Sequence, residues 1–181
     1  YRHSKNLGAP ANFDFVETKA QGKYFAWLGG HDRYNPKTLA VVRRYFEQFT
    51  AASLVYPRCQ LVNEQGESIG RGCSPLDSRN LSPADAMIQV LERLRKCGNI
   101  YGFFPRELIK KRPVERIYGG DDLILFWAAG CGSIIEADLD GIIREFPRTE
   151  ESAQERLMRY KRLGVIENDE PLTIPAQRKI T

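Results

Sequence analysis

Apolar positions along the chain switch between helical and strand spacing. Residues 10–22 predict a helix, with Asn12 near its start, Phe13, Val16 and Ala20 as an apolar stripe, and Gly22 at its end. Residues 23–28 (KYFAWL) form an aromatic run of the kind buried in a sheet. Gly29-Gly30 breaks it, and residues 31–36 read as a polar loop. Pro36 suits the first position of a second helix over 37–49, with Leu39, Val42 and Phe46 inward. Residues 53–63 predict a strand pair, or one strand bent at Pro57, followed by a turn at 64–67. After a glycine-, proline- and serine-rich loop at 70–79, Ser82 caps a helix with Pro83 just inside it, running to about Lys96. Residues 99–104 predict a compact apolar strand or turn, and 107–111 a short basic segment. Gly119-Gly120-Asp121-Asp122 leads into an apolar helix over 123–129, closed by Gly130. Residues 133–143 alternate like a strand, and 149–163 predict a charged amphipathic helix. The order describes one α/β domain over 1–164 and a polar tail over 165–181.

Composition narrows the function classes. The chain has 181 residues, 42% of them apolar and 28% charged, the balance of a globular domain rather than a disordered chain. Its longest apolar runs, such as LILFWAAGCG, reach only half of the ~18 residues that a membrane span needs. The opening residues YRHSKNLG lack the apolar core of a signal peptide, so a cytoplasmic protein is expected. Twenty-seven basic against 23 acidic side chains give a net charge of +4. That excess suits an anionic small ligand or an anionic membrane surface and does not demand nucleic acid. Cys59, Cys73, Cys97 and Cys131 form no C-x-x-C pair and have no nearby histidine, which argues against zinc and against a disulfide scaffold.

The most informative stretch is NLGAPANFDFVETKAQGKYFAWLGGHDRYNP, residues 6–36. Its order of Asn6, Gly8, Asn12, Gly22, an aromatic strand and then Gly30-His31-Asp32 with a proline beyond resembles the family 2 glycosyltransferases. The resemblance continues more weakly through SLVYPRCQLVNEQGE, NIYGFFPRELI and YGGDDLILFWAAG to about Arg144. It leaves the family's N-terminal strand–helix–strand unit without a counterpart. What it implies is a GT-A type α/β fold, with a mixed central sheet and flanking helices. The implied reaction moves a sugar from a nucleotide diphosphate donor to a hydroxyl acceptor with inversion, in polysaccharide or glycolipid synthesis on the cytoplasmic side. Membrane-surface association and homo-oligomerisation stay open.

The resemblance also implies residue roles. The departing diphosphate gathers negative charge and needs a positive partner already in place. In this family that partner is usually Mg2+ or Mn2+ held by an acidic loop, which makes Asp32 the expected metal ligand. Gly30 stands where the first acidic residue would be, and His31 in the middle, where its nitrogen suits Mn2+. Arg33 offers a guanidinium as a second way to offset the diphosphate. Asp121, with Asp122 beside it, matches the general base that takes the acceptor's proton. Arg144 matches a basic residue near the diphosphate, although Phe146 replaces the histidine often found two positions on. Asn6, Gly8 and Asn12 match the segment that lies against the nucleoside, with Gly8 supplying a positive φ.

Three other readings compete. A non-catalytic relative that binds nucleotides or sugars would also explain the altered acidic motif. Glu136, Asp138 and Asp140 would share one face of a strand, a grouping that suits a metal-dependent phosphohydrolase. Tyr101, Gly102, Phe103 and Phe104 are loosely similar to an RNA-binding aromatic motif, but without its basic partner they read as core.

Overall fold

The computed structural model describes residues 3–5, 7–113, 120–145 and 152–162. The residues beyond 162, with the polar tail, lie outside the described residues, as do Asn6 and Phe146. Among the described residues the elements run in the order α1 (Gly8–Lys19), β1 (Tyr24–Phe25), β2 (Asp32–Tyr34), α2 (Thr38–Gln48), β3 (Ala52–Val62), β4 (Ser68–Arg71), α3 (Pro83–Arg93), β5 (Phe104–Pro105), α4 (Arg106–Ile109), α5 (Gly120–Cys131), β6 (Ser133–Glu145) and α6 (Ala153–Arg162), with a 3-10 turn at Gly98–Tyr101.

Strands β3 and β6 are rich in apolar and β-branched residues and lie parallel at the centre of a four-stranded sheet of order β2-β6-β3-β4. Antiparallel β2 and β4 flank them, so the sheet is mixed. Successive residues of β3 face opposite cores: Leu54 and Tyr56 pack with Leu125, Ile134 and Phe104, and Val55 packs with Val42, Phe46 and Ile135. Central strands buried on both faces are what a helix-covered parallel pair requires. β1 and β5 form a separate antiparallel pair.

The parallel pair is irregular at Pro57. Register jumps from Pro57↔Ala137 to Arg58↔Asp140, leaving Asp138 and Leu139 as a bulge in β6. A side chain at Gly141 would meet the Pro57 ring at 2.5 Å, so only glycine lets the strands close again.

Several expectations are revised. Residues 32–34 are a strand, not loop, because their backbone pairs with residues 142–144. The inward stripe of α2 runs Thr38, Val42, Phe46; Leu39 is 65% exposed and Pro36 stays outside the helix. Thr38 turns inward because its hydroxyl donates to the Gly141 carbonyl at 2.9 Å. In α1, Phe13 and Val16 are exposed, whereas Glu17 is buried and pairs with Arg112. Asp14 pairs with the same guanidinium at 2.8 Å. The aromatic run at 23–28 contributes only two residues of strand, and 99–104 begins as a 3-10 turn.

The Ser82 cap forms as expected, accepting the Asp85 backbone N–H at 3.2 Å, with Pro83 at the first helical position. Ser82→Ala is expected to lower stability by about 1 kcal/mol, read as a reduced urea midpoint with an unchanged slope.

Candidate functional site

The site begins with an ion pair between two strands. β2 runs antiparallel to the end of β6, setting Asp32 directly across from Arg144. The Arg144 Nε donates to Asp32 Oδ2 at 3.2 Å, with the two side chains 25% and 6% exposed. Gly29 makes room for this carboxylate, since a Cβ there would lie 2.6 Å from Asp32 Oδ2. The position is near the carboxyl ends of the parallel pair, where open α/β sheets place their ligands.

Tyr101 forms the next layer. The Arg144 guanidinium lies 4.3 Å from its ring centre, and Nη2 is 3.4 Å from its hydroxyl. The Tyr34 hydroxyl, on the same face of β2 as Asp32, donates to the Tyr101 carbonyl at 2.8 Å. At Gly102 any side chain would strike Tyr56 and Leu54, so this turn packs directly onto β3. Burial raises the Tyr101 phenol above its ordinary pKa; Arg144 opposes the shift, while the charges of Asp32 and Asp121 add to it.

Asp121 and Asp122 occupy the first turn of α5, where unpaired backbone N–H groups favour negative charge. The Cys97 thiol donates to Asp122 Oδ1 at 2.7 Å. Ligand atoms of Cys97, Asp121 and Asp122 all lie within 4.8 Å of one another, the one such group among the described residues that could hold a metal ion. Burial, then the charge of Asp122, pushes the Asp121 carboxyl above the usual range. Burial and the same two acids push the Cys97 thiol far up, so it remains protonated.

The structure separates the remaining expected residues. Strand alternation turns Arg33 to the face opposite Asp32, where it pairs with Glu145 at 2.8 Å in the open. His31 lies in an exposed turn. Gly8 has the expected positive φ of 81°, at the start of α1, and Asn12 is exposed on that helix. Asp32, the expected cation anchor, has a side chain 6% exposed that is paired with Arg144. Mg2+ and Mn2+ prefer oxygen donors, which Asp121 and Asp122 supply.

The rival acidic cluster does not assemble. Glu136 pairs with Arg71 and lies 2.9 Å from the Tyr56 hydroxyl. The bulge turns Asp138 and Asp140 onto Arg58, at 2.6 and 2.9 Å. Each of the three carboxylates already has an arginine partner, which removes the basis for the phosphohydrolase reading. The aromatic stretch is core as expected in Phe103 and Phe104, but Tyr101 belongs to the site.

No family model matches the sequence, and neither does any curated protein. Among solved structures, the chain is similar to S. aureus TarS 1–349, with a TM-score of 0.59 and 12% identity over 80% of this chain. It is also similar to S. aureus TarS 1–349 in complex with UDP-GlcNAc, with a TM-score of 0.57 and 12% identity over 82% of this chain. The chain spans 42% of the length of each. TarS is a glycosyltransferase, and the mixed α/β architecture described above matches that class of fold. No helix among the described residues is long and apolar enough to cross a membrane.

Proposed function

We propose that the chain is a glycosyltransferase of the family 2, GT-A kind. It moves a sugar from a nucleotide diphosphate donor to a hydroxyl acceptor with inversion. The observations that carry this reading are Asp121, a carboxylate with a raised pKa grouped with Asp122 and Cys97 at a helix start, and the Asp32–Arg144 pair backed by Tyr101 near the carboxyl ends of the parallel strands. A base whose pKa is drawn toward neutrality transfers protons more efficiently than an ordinary aspartate. In the proposed reaction, Asp121 takes the proton from the acceptor hydroxyl as its oxygen attacks the anomeric carbon. The bond from that carbon to the diphosphate oxygen breaks on the opposite side, and Arg144 faces the charge that gathers there. Asp122 orients the site through Cys97. A bound Mg2+ or Mn2+ would be held by Asp122, with donor oxygens completing its shell, and would offset diphosphate charge. A saccharide or glycolipid acceptor and a cytoplasmic setting belong to the same proposal.

Thermal unfolding of the full chain with UDP, GDP or UDP-GlcNAc, with and without Mn2+, tests it. A nucleotide at 100 times its Kd adds about 2.7 kcal/mol of apparent stability, readily seen as a raised Tm. No shift with any of these ligands would overturn the reading.

A further inference from the structure

We propose that Tyr101 is a positioning residue, which fixes the Arg144 guanidinium so that its open edge meets the donor diphosphate. This rests on the donor site proposed above. An arginine side chain has many rotamers, and ordering it on binding opposes affinity unless the order exists beforehand. Asp32 holds Arg144 only along the Nε edge, at 3.2 Å. The guanidinium carbon lies over the Tyr101 ring, 4.3 Å from its centre, so the ring face backs the cation on a second side. Its hydroxyl engages Nη2 at 3.4 Å. Nη1 makes no hydrogen bond to a described residue, which leaves two donors on a charged side chain that remains 25% exposed.

Tyr101 is itself firmly placed. Its carbonyl accepts the Tyr34 hydroxyl at 2.8 Å. The turn that carries it is locked by the buried Asn99, whose amide exchanges two hydrogen bonds of 2.9 Å with the Ser74 backbone. β2 therefore holds both supports of Arg144, through Asp32 directly and through Tyr34 acting on Tyr101. An aromatic face is needed for the stack; the hydroxyl is secondary.

Two readouts on Tyr101→Phe and Tyr101→Ala test the proposal. The first is the Arg144 Nε–H signal in 15N NMR, assigned by its loss in Arg144→Lys. The second is UDP affinity by calorimetry, with donor KM and kcat measured separately once a donor is identified. Tyr101→Phe is expected to keep the protected Nε–H and stay within about 3-fold of wild-type affinity, because the stack survives. Tyr101→Ala is expected to lose that protection and bind UDP about 10-fold more weakly, with the loss in KM rather than kcat. An Nε–H equally protected in Tyr101→Ala overturns the positioning role, as does wild-type UDP affinity in that variant. A phenylalanine variant as impaired as the alanine one also overturns it. If the wild-type chain binds no UDP, the donor site fails, and the Nε–H comparison still decides whether Tyr101 holds Arg144.

Discussion

Asp121→Asn is expected to reduce sugar transfer about 10²- to 10⁴-fold while raising thermal stability. Asparagine keeps the shape and the place at the start of α5 but cannot take a proton. The gain in stability follows from linkage. Burial and the neighbouring Asp122 raise the Asp121 pKa in the folded protein above its unfolded value. The native state then holds the proton more tightly. The stabilisation from this group is complete below the unfolded pKa and is lost as pH rises through the folded one. Above that folded pKa the wild-type protein has therefore lost it, whereas the amide never ionises. Melting curves across pH should show the variant ahead of wild type above the Asp121 pKa, with the gap closing in acid. The wild-type rate should fall on acidification at a pH above the ordinary aspartate range. Equal rates for variant and wild type would remove Asp121 from the base role.

Arg112→Ala is expected to destabilise the fold by about 3–5 kcal/mol, read as a large drop in urea midpoint. Arg112 is 7% exposed and is held between Asp14 and Glu17 of α1, with its guanidinium 5.5 Å from the Trp27 ring centre. Burial lowers its pKa, and the Asp14 carboxylate opposes that shift. Without Arg112, Glu17 stays inside with no countercharge, and that stranded carboxylate accounts for most of the loss. The double variant Arg112→Met with Glu17→Leu removes both charges and should recover much of the stability. A double variant as unstable as Arg112→Ala would contradict this account.

Local chemistry was readable in advance. Ser82-Pro83 announces its helix because cap and first turn are settled by adjacent residues, and Gly8 shows its positive φ for the same reason. Long apolar strands such as β3 and β6 also declare themselves. Asp32-Arg33-Tyr34 does not, because three residues with one strand-favouring tyrosine are too short a run to show alternation, and the partner strand lies more than 100 positions away in β6. Asp32 and Asp121 stand out one at a time, but Arg144 reaching both Asp32 and Tyr101 is a tertiary fact. Cys97 carried no local signal, since its thiol meets Asp122 only once α5 is docked. The face shared by Asp138 and Asp140 was foreseen without Arg58, because the bulge at Pro57 depends on which strand lies alongside.

The first support of Arg144 is a three-residue strand at the border of its sheet. A border strand has neighbours on one side only, so it is among the easiest parts of a sheet to peel away. Detaching it would release the aspartate and the tyrosine anchor together. Any molecule that binds the arginine in its ordered state would therefore also fasten that border, and the ligand site and this margin of the sheet would open and close as one.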